Sequence, residues 1–155
     1  MVNVQETRST YQFMKVRVLF VCTANAARSQ MAEGLLRARY GDRYEVFSAG
    51  TRQSTVSPRA VAVMREIGID LSGHRSKTLA EISGPCELAV TLCDNAHAVC
   101  PVVPCAKRTI HHGFADPHAV PGDEEETLAA YRRIRDEIAA WIDEEFGSRF
   151  PSIRS

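Results

Sequence analysis

The stretch Cys22-Thr23-Ala24-Asn25-Ala26-Ala27-Arg28-Ser29 places a thiol, a run of small residues, a guanidinium and a hydroxyl within eight positions. A cysteine thiolate is a strong nucleophile, and a fixed positive charge nearby favours that form over the thiol. Small residues leading into a helix let successive backbone N–H groups converge on one tetrahedral oxyanion. Arg28, six residues beyond Cys22, adds a bidentate fork of donors. These residues point to attack by Cys22 on a phosphate-like anion held by Arg28 and the loop Thr23, Ala24, Asn25, Ala26, Ala27 and Ser29. A lone cysteine at a strand end would be a small buried filler, and a lone serine there a helix N-cap. The strand end, the spacing and the helix that follows argue against the first; the second is compatible with anion binding.

Such a loop needs a strand before it and a helix after it. Val16-Arg17-Val18-Leu19-Phe20-Val21 is rich in β-branched and aromatic residues, as a strand is. From Ser29 the period changes, and Met31, Ala32, Leu35 and Leu36 recur at helical spacing up to Gly41. Tyr44 to Ser48 reads as a second strand, and Pro58 opens a helix through Val61, Met64 and Ile67 that Gly68 closes. A short amphipathic segment around Ser76 to Ile82 precedes a third strand, Glu87-Leu88-Ala89-Val90-Thr91-Leu92, and Lys107 to His112 is a weaker fourth. After Pro121-Gly122 the longest helix begins with Asp123, Glu124, Glu125 and Glu126 at the positive end of its dipole. Its apolar stripe runs through Leu128, Tyr131, Ile134, Ile138, Trp141, Ile142 and Phe146. Alternating strands and helices predict an α/β fold with a four-stranded parallel sheet, doubly wound, with helices on both faces. Ligands of such sheets bind outside the carboxyl ends of the strands, where Cys22 and Cys93 both fall.

With 155 residues, 45% of them hydrophobic, the chain can bury one sizeable core and not two. One domain over 15–147 is expected, with 1–14 a loose N-terminal extension and 148–155 a tail. Nineteen basic residues offset nineteen acidic ones, which gives no electrostatic reason to expect nucleic acid or an anionic membrane as partner. The longest apolar run, Val16 to Cys22, still contains Arg17 and is too short to span a bilayer. Five cysteines without compact spacing do not make a secreted disulfide scaffold. A cytoplasmic monomer is the default expectation.

The pattern C-x(5)-R-S after a first strand resembles the low-molecular-weight protein tyrosine phosphatase family. Ser48-Ala49-Gly50-Thr51, Gly68-Ile69-Asp70 and His74-Arg75-Ser76-Lys77 are similar to that family in order and spacing, and the likeness spans about Val16 to Phe146. It implies a flavodoxin-like sheet with an open catalytic loop, braced by Asn25, and a general acid from a late Asp-Pro pair, here Asp116-Pro117. The plain alternative for Asp116 is a turn-forming residue before proline. Two positions depart from the common pattern: Ala24 stands where many relatives have Gly, and Ala27 where many have Cys. A left-handed turn at Ala24 would be strained. Tyrosine phosphatases of the group place aromatic residues after Asp-Pro, whereas here His118-Ala119-Val120 gives an aromatic phosphoester little to stack on.

A second likeness, to the thioredoxin-coupled arsenate reductases of this family, lies in Thr91-Leu92-Cys93-Asp94-Asn95-Ala96-His97-Ala98-Val99-Cys100-Pro101 and in Gly113-Phe114-Ala115-Asp116-Pro117. It implies that Cys22 attacks arsenate and that Cys93 attacks Cys22, expelling arsenite and leaving a Cys22–Cys93 disulfide. Cys100 then attacks Cys93, and the Cys93–Cys100 disulfide is reduced by thioredoxin or a similar dithiol. No bound cofactor is implied. Arsenate, phosphate or sulfate would be the loop ligand. In a helix the α-carbons of Cys93 and Cys100 would lie about 10 Å apart, beyond the roughly 4.4 to 6.8 Å that a disulfide spans, so their segment would have to unwind on oxidation. The alternatives are a phosphatase with redox-protected cysteines and a non-catalytic oxyanion-binding module.

Cys93, Cys100, Cys105, His97, His111 and His112 could also be read as a zinc site. They lack a paired C-x(2)-C knuckle, however, and adjacent histidines in a strand point to opposite faces, so no metal is expected. Some relatives hold potassium beside the loop with residues like Asn25, Glu33 and a carboxylate. Lys77 occupies that last position here, and an ammonium there disfavours a cation. Cys86 reads as packing or a bystander. Cys105, near the redox pair in sequence, could trap it but is more simply a bystander too.

Overall fold

The computed structural model describes residues 15–93 and 103–147. Four parallel strands make one sheet: β1 (Val16–Cys22), β2 (Tyr44–Gly50), β3 (Cys86–Thr91) and β4 (Ala106–His111), in the order β2-β1-β3-β4. Three α-helices accompany them, α1 (Arg28–Tyr40), α2 (Pro58–Arg65) and α3 (Glu124–Phe146). The four-stranded doubly wound sheet expected from the sequence is therefore present. The weak fourth strand forms at an edge, where alternating half-buried and exposed residues suit one covered face. The predicted segment over Ser76 to Ile82 is a single 3₁₀ turn at Leu79–Glu81, held by a capping box between Thr78 and Glu81.

β1 runs through the centre, and its side chains alternate between two cores. Val18, Phe20 and Cys22 face the larger core, shared with all three α-helices. Leu19 and Val21 face a smaller one with Ala49, Cys86, Ala89 and Val103, which Leu79 of the 3₁₀ turn and Ile82 just after it help to cover. Among the described residues this second face thus carries a one-turn helix rather than a long one. α1 buries every residue from Arg28 to Leu36, because its first turns lie against both the sheet and the site. At Gly34 a side chain would collide with Leu71 Cδ2 at 2.8 Å, so glycine lets the stretch after α2 lie directly on α1. The longest helix, α3, starts at a capping box in which Glu126 N–H donates to Asp123 and Asp123 N–H to Glu126.

Phe20, Tyr44, Trp141 and Phe146 meet edge to face, with ring centroids 5.2 to 6.4 Å apart. This cluster fastens the last turn of α3 to β1 and β2. Truncating Phe146, which is fully buried, is expected to cost about 3 to 5 kcal/mol. Urea unfolding of Phe146→Ala would show it, and a loss below about 1 kcal/mol would mean that the C-terminal turn does not hold the sheet.

Candidate active site

Two chain directions part at the carboxyl ends of β1 and β3: β1 leads to β2 on one side, and β3 pairs with β1 on the other. The crevice at this switch point is the expected ligand site of an open α/β sheet. Cys22 ends β1 there with 2% of its surface exposed. The loop 23–27 follows it, and α1 begins at Arg28.

The loop's shape is set by where its carbonyls go. Thr23 C=O accepts from the N–H groups of Thr51 and Arg52 at 2.9 and 3.1 Å. Ala24 C=O accepts from Ser76 Oγ, Asn25 C=O from Gln30 Nε2, and Ala26 C=O from Ser57 N–H, at 2.9, 3.0 and 2.9 Å. Ala27 C=O takes the first helical bond, from Met31 N–H at 2.8 Å. In a trans peptide the N–H points opposite to the C=O, and no described peptide bond is cis. Five carbonyls turned onto the scaffold therefore turn the N–H groups of residues 24–28 the other way. Ala24, Ala26, Ala27 and Arg28 among them line the cleft together with Cys22 and Thr23. This is the donor ring that an oxyanion requires, and the positive end of α1 lies behind it.

The positive φ that such a turn needs falls on Asn25, at 52°, and not on Ala24. Asparagine tolerates the left-handed region far better than alanine, so the absence of glycine at position 24 carries no strain. Asn25 is fully buried and bonded throughout: Nδ2 donates to Ser29 Oγ at 2.8 Å, and Oδ1 accepts from Lys77 N–H and Gln30 Nε2 at 2.8 and 2.9 Å. The Lys77 amide can only donate, which fixes the orientation of the Asn25 side chain. Ser29 Oγ lies 2.9 Å from Cys22 Sγ. With Asn25 occupying one of its lone pairs, the Ser29 hydroxyl is free to donate to a Cys22 thiolate. Ser29 is not the helix N-cap; Ala27 holds that position without a side-chain bond, which leaves the Ser29 hydroxyl for the cysteine.

Arg28 is buried, its Nη1 donating to Phe114 C=O at 3.1 Å and its Nη2 lying 3.9 Å from Asp116 Oδ2. Asp116 is both a turn residue and a wall of the cleft. One carboxylate oxygen accepts from His118 N–H at 2.9 Å at the start of a 3₁₀ turn, while the side chain stays 37% exposed on the cleft beside Arg28. Cys93 follows β3. The register that sets Val21 against Thr91 continues with Leu92 N–H on Val21 C=O at 2.8 Å, which brings Cys93 opposite Thr23. Its sulfur lies 3.9 Å from Thr23 Oγ1, and 4% of the residue is exposed. Cys100 and His97 fall outside the described residues, as does the segment expected to unwind between Cys93 and Cys100. The structure scatters the other candidate zinc ligands. Cys105 precedes β4 and His111 ends it, roughly 20 Å apart at about 3.3 Å per strand residue. His111 bonds Thr91, and His112 stacks on Trp141.

Several contributors have no role assigned by sequence. Gly50 is the tightest: a Cβ there would meet Thr23 O at 2.7 Å and Asn25 N at 2.8 Å, so the loop rests on this glycine. Gln30, Ser54, Ser76 and Tyr131 brace or line the cleft, Ser76 through Ser54 N–H and Ala24 C=O, and Tyr131 through its hydroxyl bond with Ser57. Gly50 and Ser76 sit inside segments singled out by resemblance; Gln30 and Tyr131 look like ordinary helix positions.

Behind the loop, Glu33 accepts from Ser48 Oγ and pairs with Arg37 at 2.5 Å. Lys77 Nζ lies 4.0 Å from the other Glu33 oxygen, so an ammonium supplies positive charge at this point. His74 Nδ1 bonds Gln30 Oε1 at 2.8 Å, and its Nε2 faces the Arg37 guanidinium at 3.3 Å. A guanidinium only donates, so this ring is neutral and protonated on Nδ1. Burial first, then Arg37 and Lys77, push its pKa below the ordinary value, against the pull of Glu33 and Asp70.

This strand–loop–helix, with a buried cysteine at one end and a buried arginine at the other on a parallel sheet, is the arrangement that an enzyme attacking oxyanions through a cysteine requires. The low molecular weight phosphotyrosine protein phosphatase family model matches residues 17–145, and the chain belongs to that family. It is 47% identical over 81% of its length to a protein of Halalkalibacterium halodurans named arsenate reductase, of which 91% is covered. An arsenate reductase of Bacillus subtilis is 41% identical, over 82% of this chain and 92% of that one. Among solved structures, an arsenate reductase in the phosphate binding state superposes with a TM-score of 0.71 at 28% identity, covering 83% of this chain and 95% of that chain.

Two outcomes test this geometry. Gly50→Ala is expected to weaken phosphate binding by at least about tenfold, measured calorimetrically, while far-UV circular dichroism stays native; unchanged affinity would mean that the loop does not depend on Gly50. The second concerns pH. His74 resists protonation in the folded state, so below about pH 6.5 the unfolded chain binds the proton more readily and stability falls as pH drops toward the lowered pKa. In His74→Gln that fall should be shallower between pH 6.5 and 5. An identical slope would remove His74 as its source.

Proposed function

We propose that this chain reduces arsenate to arsenite through a relay of Cys22, Cys93 and Cys100, regenerated by thioredoxin or a similar dithiol protein. The observation that carries the reading is Cys93, a second buried thiol opposite Thr23 at the mouth of an oxyanion loop. Phosphoester hydrolysis needs one thiol there; a two-electron reduction needs another.

In this reading the N–H groups of residues 24–28 and the Arg28 guanidinium hold the oxyanion as its charge redistributes. The Cys22 thiolate, supported by the Ser29 hydroxyl, attacks As(V), and one arsenate oxygen leaves as water with a proton from Asp116. The Cys93 thiolate then attacks Cys22 Sγ. The S–As bond breaks with its electron pair going to arsenic, arsenite departs, and a Cys22–Cys93 disulfide remains. Cys100 attacks Cys93 and releases Cys22, and the external dithiol reduces the Cys93–Cys100 bond. Asp116 stands where that proton is needed, its side chain exposed on the wall of the cleft that Cys22 and Arg28 line. The thioredoxin partner rests on the sequence likeness of the Cys93 to Cys100 stretch; a thioredoxin-dependent arsenate reductase of Corynebacterium glutamicum shares the fold at 23% identity.

Arsenite release with a thioredoxin system, measured beside hydrolysis of an aryl phosphate, tests the proposal. Fast reduction with weak hydrolysis is expected. After one turnover Cys100→Ser should accumulate a Cys22–Cys93 disulfide, and Cys93→Ser and Cys22→Ser should release no arsenite. Sustained turnover in both Cys93→Ser and Cys100→Ser would sink the relay.

A further inference from the structure

At the opposite end of the sheet from the catalytic loop lies a second pair of thiols. Cys86 opens β3 and Cys105 immediately precedes β4, and their sulfurs are 3.8 Å apart. The backbone fixes them there: Cys86 N–H donates to Cys105 C=O at 2.9 Å, and the register pairs Cys86 with Ala106. Neighbouring strands run about 4.8 Å apart with about 3.3 Å per residue, so this diagonal is about 6 Å between α-carbons, inside the roughly 4.4 to 6.8 Å that a disulfide spans. Closing the bond requires side-chain rotation and no movement of the strands. Six strand residues, roughly 20 Å, separate the pair from the end of β3, beyond reach of Cys22 and Cys93.

We propose that Cys86 and Cys105 form a second dithiol–disulfide couple, separate from the catalytic thiols and oxidised by peroxides. Their environments divide the roles. Cys86 is buried among Leu19, Val21, Ala49, Ala89 and Val103, whereas Cys105 is partly exposed and open to a small oxidant. Burial, then the neighbouring Cys105, push the Cys86 thiol up to about 11 against the opposing charge of Arg17, so Cys86 is the resolving partner and not the thiol that meets peroxide. The Cys105 sulfur attacks one peroxide oxygen, the O–O bond breaks, and Cys105 becomes a sulfenic acid as one molecule of water (or alcohol) departs. The Cys86 sulfur then displaces the sulfenic hydroxyl, which leaves with the Cys86 proton as a second water. Two electrons pass from the dithiol to the peroxide, and an external dithiol returns them. The bond closes a covalent loop from 86 to 105 that contains Cys93 and Cys100, tying down both ends of the stretch on which the relay reading depends.

The couple does not depend on arsenate chemistry, and its test avoids it. Replacing Cys22, Cys93 and Cys100 by Ser leaves Cys86 and Cys105 as the sole cysteines of the full chain. With hydrogen peroxide this protein should lose the mass of two hydrogens, fall from two titratable thiols to none, and yield one cross-linked peptide pair joining residues 86 and 105. Its unfolding midpoint should rise by several degrees, reversed by dithiothreitol. The same protein with Cys105→Ser in addition should give no cross-link and no rise. A peroxide-treated protein that stays folded but keeps both thiols, carries sulfinic acid at Cys105 without a bond to Cys86, or links between molecules instead would overturn the proposal.

Discussion

Asn25 fixes the one backbone conformation on which the loop between β1 and α1 depends. Its positive φ reverses the chain between β1 and α1, and its buried amide ties the reversal to Ser29, Gln30 and Lys77. Each of those contacts continues inward or outward. Ser29 reaches the Cys22 sulfur, Gln30 reaches His74, and Lys77 belongs to the chain that lies against Gly50. A donor ring has to exist before the anion arrives, since amides that reorganise during reaction contribute little stabilisation. Here that order comes from carbonyls anchored on three different segments: 51–52, 57 and 76.

The rest of the fold supplies those anchors. The parallel register puts Gly50 at the end of β2 beside Cys22, so the chain leaving β2 runs under the loop. Ser57 serves twice, with its N–H on Ala26 C=O and its hydroxyl capping α2 through Ala60 N–H. Arg28 is steadied from the far side by Phe114 C=O, and Phe114 N–H bonds Leu92 C=O, one residue before Cys93. The guanidinium and the second thiol are thus held through one short path, from Arg28 through the Phe114 backbone to Leu92 and Cys93.

Thiols occupy both ends of the sheet, and their settings differ in kind. Cys22 and Cys93 lie at the carboxyl end, Cys22 beside the Ser29 hydroxyl at the start of α1 and Cys93 beside the Thr23 hydroxyl. Cys86 and Cys105 lie at the amino end against an apolar core that keeps Cys86 protonated. The direction of the parallel strands thus puts the two pairs of thiols at opposite ends of one sheet.

Much of this was legible in the chain itself. Apolar and β-branched runs mark the inner strands, which are buried on both faces, and helical apolar spacing marks the long helices, which are buried on one; Cys22, Arg28 and Ser29 stand out because the expected chemistry needs that local spacing. Asp116 was legible as a residue beside proline, although its second role, facing Arg28, is a contact across 88 positions. Local sequence could not say that Asn25 and not Ala24 takes the positive φ, that Gly50 is kept bare by a loop passing over it, or that Tyr131 and Gln30 belong to the site. It also grouped Cys105 with Cys93 and Cys100 because they are near in the chain, whereas the strand between Cys105 and the site carries it to the other end of the molecule beside Cys86. Chemistry confined to one turn of backbone is written in residue order; which carbonyls turn outward and which thiols meet is decided only when parallel strands bring distant segments into register.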